Sequence, residues 1–116
     1  MKLVYRWVRR LKTGAKGFLL WARQEWLIVA AWVLFPVVAI LRGCSWLHFW
    51  VLLILGTCLV ISEMVNTAIE KLCDLVEPNY NEKVRAIKDI CAGAAMAAGV
   101  ALVVVGFWVI VIKGGQ

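Results

Sequence analysis

Charge is what this chain has least of. Of its 116 residues only 17% are Asp, Glu, Lys or Arg, against 64% hydrophobic, and the runs 26–41, 46–62 and 90–112 contain no acid or base at all. A helix of a water-soluble domain keeps one polar face, whereas these runs are apolar all round, so the solvent around them is lipid. A soluble domain this small would also need a far more polar surface. These absences exclude a water-soluble enzyme, a DNA-binding domain and a disordered tail. Metal-site and redox patterns are missing too. Cys44, Cys58, Cys73 and Cys91 stand 14, 15 and 18 residues apart with no C-x-x-C, and His48 is the only histidine. Thiols placed like this in apolar segments behave as small hydrophobes. His48, among Trp46, Leu47, Phe49 and Trp50, suits a membrane interface rather than a catalytic pair.

The apolar runs set the architecture. The 23 residues of 90–112 cover about 34 Å as a helix, enough to cross a bilayer with some tilt. The run 26–41 is short and needs a turn from 23–25 or 42–44, and Pro36 is a candidate kink within it. The run 46–62 continues to Val76 without Gly or Pro, and Pro78 is the first breaker after it. The reading is an all-α integral membrane protein with one domain over 1–116 and three transmembrane helices. These fall at 24–43, at 46–76 with a cytoplasmic extension, and at 88–113. Before them, Leu3, Val4, Trp7, Val8, Leu11, Ala15, Phe18, Leu19 and Ala22 recur at helical spacing between basic residues. That pattern predicts an amphipathic surface helix over 1–22, not a signal peptide.

Orientation follows from the basic residues. Residues 1–25 hold seven Lys and Arg and 71–88 hold four, leaving only Arg42 and Lys113 for the opposite side. The positive-inside rule places the N-terminus and the 71–88 segment of this multi-pass protein in the cytoplasm. The net charge of +6 then suits anionic lipid headgroups better than nucleic acid.

The acids carry the functional information, because a carboxylate in a membrane costs about 2.5–3.5 kcal/mol. Glu63, Asn66, Glu70 and Asp74 follow one another at spacings of 3, 4 and 4, within an arc of about 80° on one helix face. Headgroup water alone accounts for Asp74 and Glu77. Glu63 directly abuts Leu59, Val60, Ile61 and Ser62 and sits at or below the headgroup plane. Glu25 begins the first span, and Lys88 with Asp89 the third, from the same side. Acids and a lysine from three helices at one depth meet the needs of a cation-assisted phosphate site. Glu63 and Glu70 lie two turns apart, about 10.5 Å, which gives them separate tasks. Glu63 meets a hydroxyl at headgroup depth and Glu70 a metal–nucleotide from the cytoplasm. As a pattern alone, the stripe also suits ion binding or a proton relay.

The run Glu63-x-x-Asn66-x-Ala68-Ile69-Glu70-x-x-x-Asp74, followed by Lys88-Asp89 opening a helix of small residues, resembles the signature of the prokaryotic diacylglycerol kinase family, which includes undecaprenol kinases. Arg6, Lys16-Gly17 and Glu25 extend the resemblance over nearly the whole chain. It implies a homotrimer of three-span protomers with active sites shared between neighbours. It also implies transfer of the ATP γ-phosphate to a membrane lipid alcohol with Mg²⁺ and without a Walker loop, and no G-x-x-x-x-G-K-[ST] occurs here. On matching positions, Glu63 is the implied general base, and Glu25 and Glu70 hold Mg²⁺. Arg6, Thr13, Asn66, Lys88 and Asp89 position the nucleotide with those two acids. Asn79, Tyr80 and Asn81 fall where members contact adenine, and Arg6 and Ala92 accompany Glu63 at the lipid.

Four positions depart from the family pattern. Leu27 and Val29 replace an Asn and an Arg common at the start of the first span, Asn81 stands where His is frequent, and Ala92 where some members carry Ser. The expected acceptor is diacylglycerol, giving phosphatidic acid, with undecaprenol the alternative. A small multidrug-type transporter is the rival from another class, but it needs four spans and an acid in the middle of the first.

Overall fold

A computed structural model describes residues 1–113, and all regular structure in them is helical. Helix α1 runs Lys2–Gln24, α2 Trp26–Leu41, α3 Trp46–Val76 and α4 Glu82–Phe107, the last continuing into a π-helical turn over Trp108–Lys113. α3 packs along both α2 and α4, and α1 touches little besides α2. The outline is flat and angular, 53 × 47 × 21 Å.

The angle comes from one residue. Glu25 N–H donates to the Trp21 carbonyl and closes α1, while the Glu25 carbonyl accepts from Ile28 and Val29 and opens α2. Glu25 itself is non-helical (φ −113, ψ 42), and the two helices meet there at 98°. Of the 23 residues of α1 only Trp21 is buried, so the amphipathic helix expected over 1–22 stands as an arm beside the bundle.

α3, and α4 with its π-turn, are each long and apolar enough to cross a membrane, and α2 reaches that standard only when joined to α1 across the bend. The expected extra turn for the first span is absent. α2 has 16 residues, about 24 Å against a hydrocarbon core of about 30 Å. The turn at 23–25 belongs to α1 and to the bend, and the other flank is closed by Gly43 at φ 80. There Gly43 N–H bonds Ile40 and Cys44 N–H bonds Ala39, the paired bonds of a Schellman end. α4 starts at Glu82, six residues before the expected span at 88, because the Asn81 side chain accepts from the backbone N–H of Lys83 (2.9 Å) and Val84 (3.3 Å) and caps it.

The core lies away from the acids. Ala39, Leu52, Leu102 and Val109 are at most 2% exposed, with Phe35, Leu55, Leu59 and Val105 packed against them. At that end carbonyls of the π-turn accept from side chains: Arg42 Nε reaches Ile110 O at 3.3 Å and Cys44 Sγ reaches Val109 O at 3.5 Å. Large apolar side chains such as Leu34, Ile54, Val103 and Phe107 point outward and exposed, as a lipid-facing surface requires.

Candidate functional site

The stripe on α3 has the periodicity expected of it, and its members differ in environment. Glu63 and Asn66 are half-buried, Glu70 and Asp74 exposed. Asn66 Nδ2 donates to Glu70 Oε1 at 3.4 Å, one turn along, and Asn66 Oδ1 is buried with no partner. Glu25 at the α1–α2 bend and Glu70 two turns along α3 both lie within electrostatic reach of Glu63. A cross-link assists this: Lys71 Nζ donates to Gln24 Oε1 at 3.4 Å, each residue being the chain neighbour of one of those acids.

Glu63 also opens on a groove. Ile28 of α2, Leu59 of α3, and Ala95, Met96, Gly99, Val100, Val103 and Val104 of α4 line a cavity of about 450 Å³ in which Glu63 is the single polar residue. Farther along the stripe Asp74, Glu77, Asn79, Tyr80, Asn81, Arg85 and Lys88 surround a smaller polar pocket of about 160 Å³. Asp74 lies about 16.5 Å along α3 from Glu63, so an apolar groove and a polar pocket stand at opposite ends of one acidic face.

The expected residues divide into those brought together and those kept apart. Asn66 joins Glu70, and Glu25 lies within electrostatic reach of Glu63. Asn79, Tyr80, Asn81 and Lys88 share the polar pocket, where Lys88 pairs with Asp74 and Asn81 also serves as the α4 cap. Asp89 pairs instead with Arg85 at 3.4 Å. Ala92 is exposed on α4, one turn toward its N-terminus from the groove wall that begins at Ala95. Arg6 and Thr13 do not join. They lie with Arg9 and Arg10 on the outer face of α1, and Arg6 stands about 27 Å along that helix from Gln24. The Thr13 hydroxyl donates to its own helix at Arg9 O, 2.9 Å away.

No group of three or more His, Cys, Asp or Glu side chains among the described residues is clustered tightly enough to hold a metal ion. Magnesium asks for less, since one or two carboxylates suffice when phosphate oxygens and water complete the octahedron. Gathered acidic charge at an apolar boundary and an unpartnered Asn66 oxygen fit such a partial site. The groove, the Lys71–Gln24 link and the Arg85–Asp89 pair escaped the sequence reading. Gln24 and Lys71 are 47 positions apart and carry no shared signal.

The profile of the prokaryotic diacylglycerol kinase family matches residues 14–110 of this chain. The chain belongs to that family. A diacylglycerol kinase from Synechocystis sp. is 41% identical over 78 residues, an alignment covering 62% of this chain and 45% of that relative. The chain thus matches less than half of the relative's length. No solved structure matches it. Membership of a kinase family sets aside the multidrug-transporter reading.

Proposed function

We propose that this protein is a membrane lipid kinase that transfers the γ-phosphate of ATP to the alcohol of a membrane lipid at the cytoplasmic leaflet of a bacterial inner membrane. One observation carries the reading: Glu63 is the lone polar residue lining an apolar groove between α2, α3 and α4. A lipid chain lies in the groove with its hydroxyl at Glu63. The Glu63 carboxylate accepts the hydroxyl proton as the lipid oxygen bonds to the γ-phosphorus and the bond from that phosphorus to the ADP oxygen breaks, roughly in line. Glu25 and Glu70, about 9 Å apart along the helix axes, would each hold Mg²⁺ singly, with phosphate oxygens and water completing its shell, and its charge when bound offsets that of the phosphates. Asn66 braces Glu70. Lys88 and Asp89 orient the phosphates, and Asn79, Tyr80 and Asn81 face the base.

Arg6 and Thr13, far along α1 from the bend, reach phosphate and lipid only in a neighbouring copy, which supports a homotrimer with shared sites. Three crossings, with α1 on the inner surface and the N-terminus cytoplasmic, satisfy the distribution of Lys and Arg. The acceptor is diacylglycerol, as the name of the relative suggests. Undecaprenol is favoured by one specific feature: beyond Glu63 the groove offers no donor to an ester carbonyl.

The test is phosphotransfer from labelled ATP by purified protein in vesicles, comparing diacylglycerol with undecaprenol. Lipid-dependent formation of a phosphorylated product, lost in Glu63→Gln, is the expected result. ATP turnover indifferent to either lipid, or a wild-type rate in Glu63→Gln, overturns the reading.

A further inference from the structure

A hydrogen bond inside the bundle decides where Glu25 ends up. Trp32 Nε1 of α2 donates to Thr57 Oγ1 of α3 at 3.1 Å. The same hydroxyl donates its own proton to Leu53 O at 2.7 Å, which fixes the acceptor lone pair toward the indole. The indole is also seated sterically. Gly56 leaves a notch for it, since a Cβ there would lie 2.7 Å from Trp32 Cδ1. On its other side Phe18 of α1 meets it edge-on, with ring centroids 6.0 Å apart. Trp32 therefore touches three helices, and it can slide along none of them without breaking a contact.

α2 and α3 run antiparallel, so this bond acts as a ruler. Glu25 lies seven residues from Trp32, about 10.5 Å toward the cytoplasmic end, and Glu63 lies six residues from Thr57, about 9 Å the same way. Matching Trp32 to Thr57 brings Glu25 and Glu63 to within about 1.5 Å of one depth. A one-turn slip would separate them by about 5.4 Å.

We propose that Trp32 and Thr57 are positioning residues whose hydrogen bond, seated in the Gly56 notch, sets the depth register of α2 against α3 and so holds Glu25 level with Glu63. The consequence for metal–nucleotide binding rests on the role proposed above for Glu25 and Glu70. The register itself does not. Thr57→Val removes the acceptor, and Gly56→Ala fills the notch. Thr57→Ser keeps the acceptor. Gly106→Ala is the control for packing damage elsewhere, because its Cβ would meet Phe35 Cε1 at 2.4 Å in the core remote from the acids.

Two measurements in vesicle-reconstituted full-length protein decide the matter. The first needs neither metal nor lipid. Cysteines replacing Gln24 and Lys71, in a background without the native thiols, are bridged by a bifunctional maleimide at a rate that reports on the register. The second is Mn²⁺ binding by electron paramagnetic resonance with a non-hydrolysable ATP analogue. Thr57→Val and Gly56→Ala are expected to slow the cross-link and weaken Mn²⁺ binding roughly three- to tenfold, the scale of one membrane hydrogen bond. Thr57→Ser and Gly106→Ala stay near wild type in both. An unchanged cross-linking rate in folded Thr57→Val and Gly56→Ala overturns the proposal, as does equal slowing in Gly106→Ala. Slowed cross-linking in a protein that never binds Mn²⁺ with nucleotide upholds the register and removes the metal role.

Discussion

Where α2 turns into α3, four side chains from three helices and the π-turn are almost wholly enclosed, and helix-end carbonyls are tied down by Arg42 and Cys44. At the other end α3 runs on beyond its partners. Its acids are half-buried or exposed, and α1 swings away at 98°. The first region maximises apolar contact and leaves no room for a ligand. The second exposes polar groups beside a groove and a pocket, at a cost in packing that only a bound substrate or a second subunit would offset. A packed end and an open end divide stability from chemistry, and the division can be broken from either side.

The largest expected effect is at the open end. Glu63→Gln should lower lipid phosphorylation about 10²–10⁴-fold while the unfolding transition in detergent stays at its wild-type position. A parallel loss of stability would mean that the two halves are not separable. Next comes the packed end. Leu102→Ala is expected to destabilise the fold by about 2–5 kcal/mol, with turnover per folded molecule unchanged, as denaturant titration paired with a normalised assay would reveal.

Smaller effects sharpen the contrast within the open half. Glu70→Ala should weaken nucleotide binding and the Mg²⁺ requirement together, by about tenfold for one lost charged contact, and a Mg²⁺ titration identical to wild type would count against its metal role. Asp74→Asn is expected to change least. Asp74 is 66% exposed where it pairs with Lys88, and exposed pairs contribute little to folding. The unfolding midpoint should hold, and nucleotide should bind somewhat more tightly once Lys88 is released. Weaker nucleotide binding would show that Asp74 belongs to the site.

Much of this molecule is legible from local patterns. Apolar runs locate α3 almost to the residue, and its 3.6-residue period puts Glu63, Asn66, Glu70 and Asp74 on one face. The length of the first span was misjudged because hydropathy cannot register a bend: the acid Glu25 reads as a flank of the span, yet its backbone ends one helix and begins another. The start of α4 was placed late for a similar reason, since a polar first turn capped by Asn81 carries no apolar signal. The sequence assigns Arg6 and Thr13 to the site only by resemblance, and only a three-dimensional distance shows how far along α1 they stand from the bend at Glu25.

The sequence by itself determined that the chain is helical and lives in lipid, which residues are charged, and which of them share a helix face, because each depends on interactions within a few residues. The rotation and depth of one helix against another were left to the tertiary structure. Those are set by single contacts between distant positions, such as Trp32 in the notch of Gly56. Along a uniformly apolar helix surface hydropathy favours no register over the next, and shape together with one buried hydrogen bond has to choose.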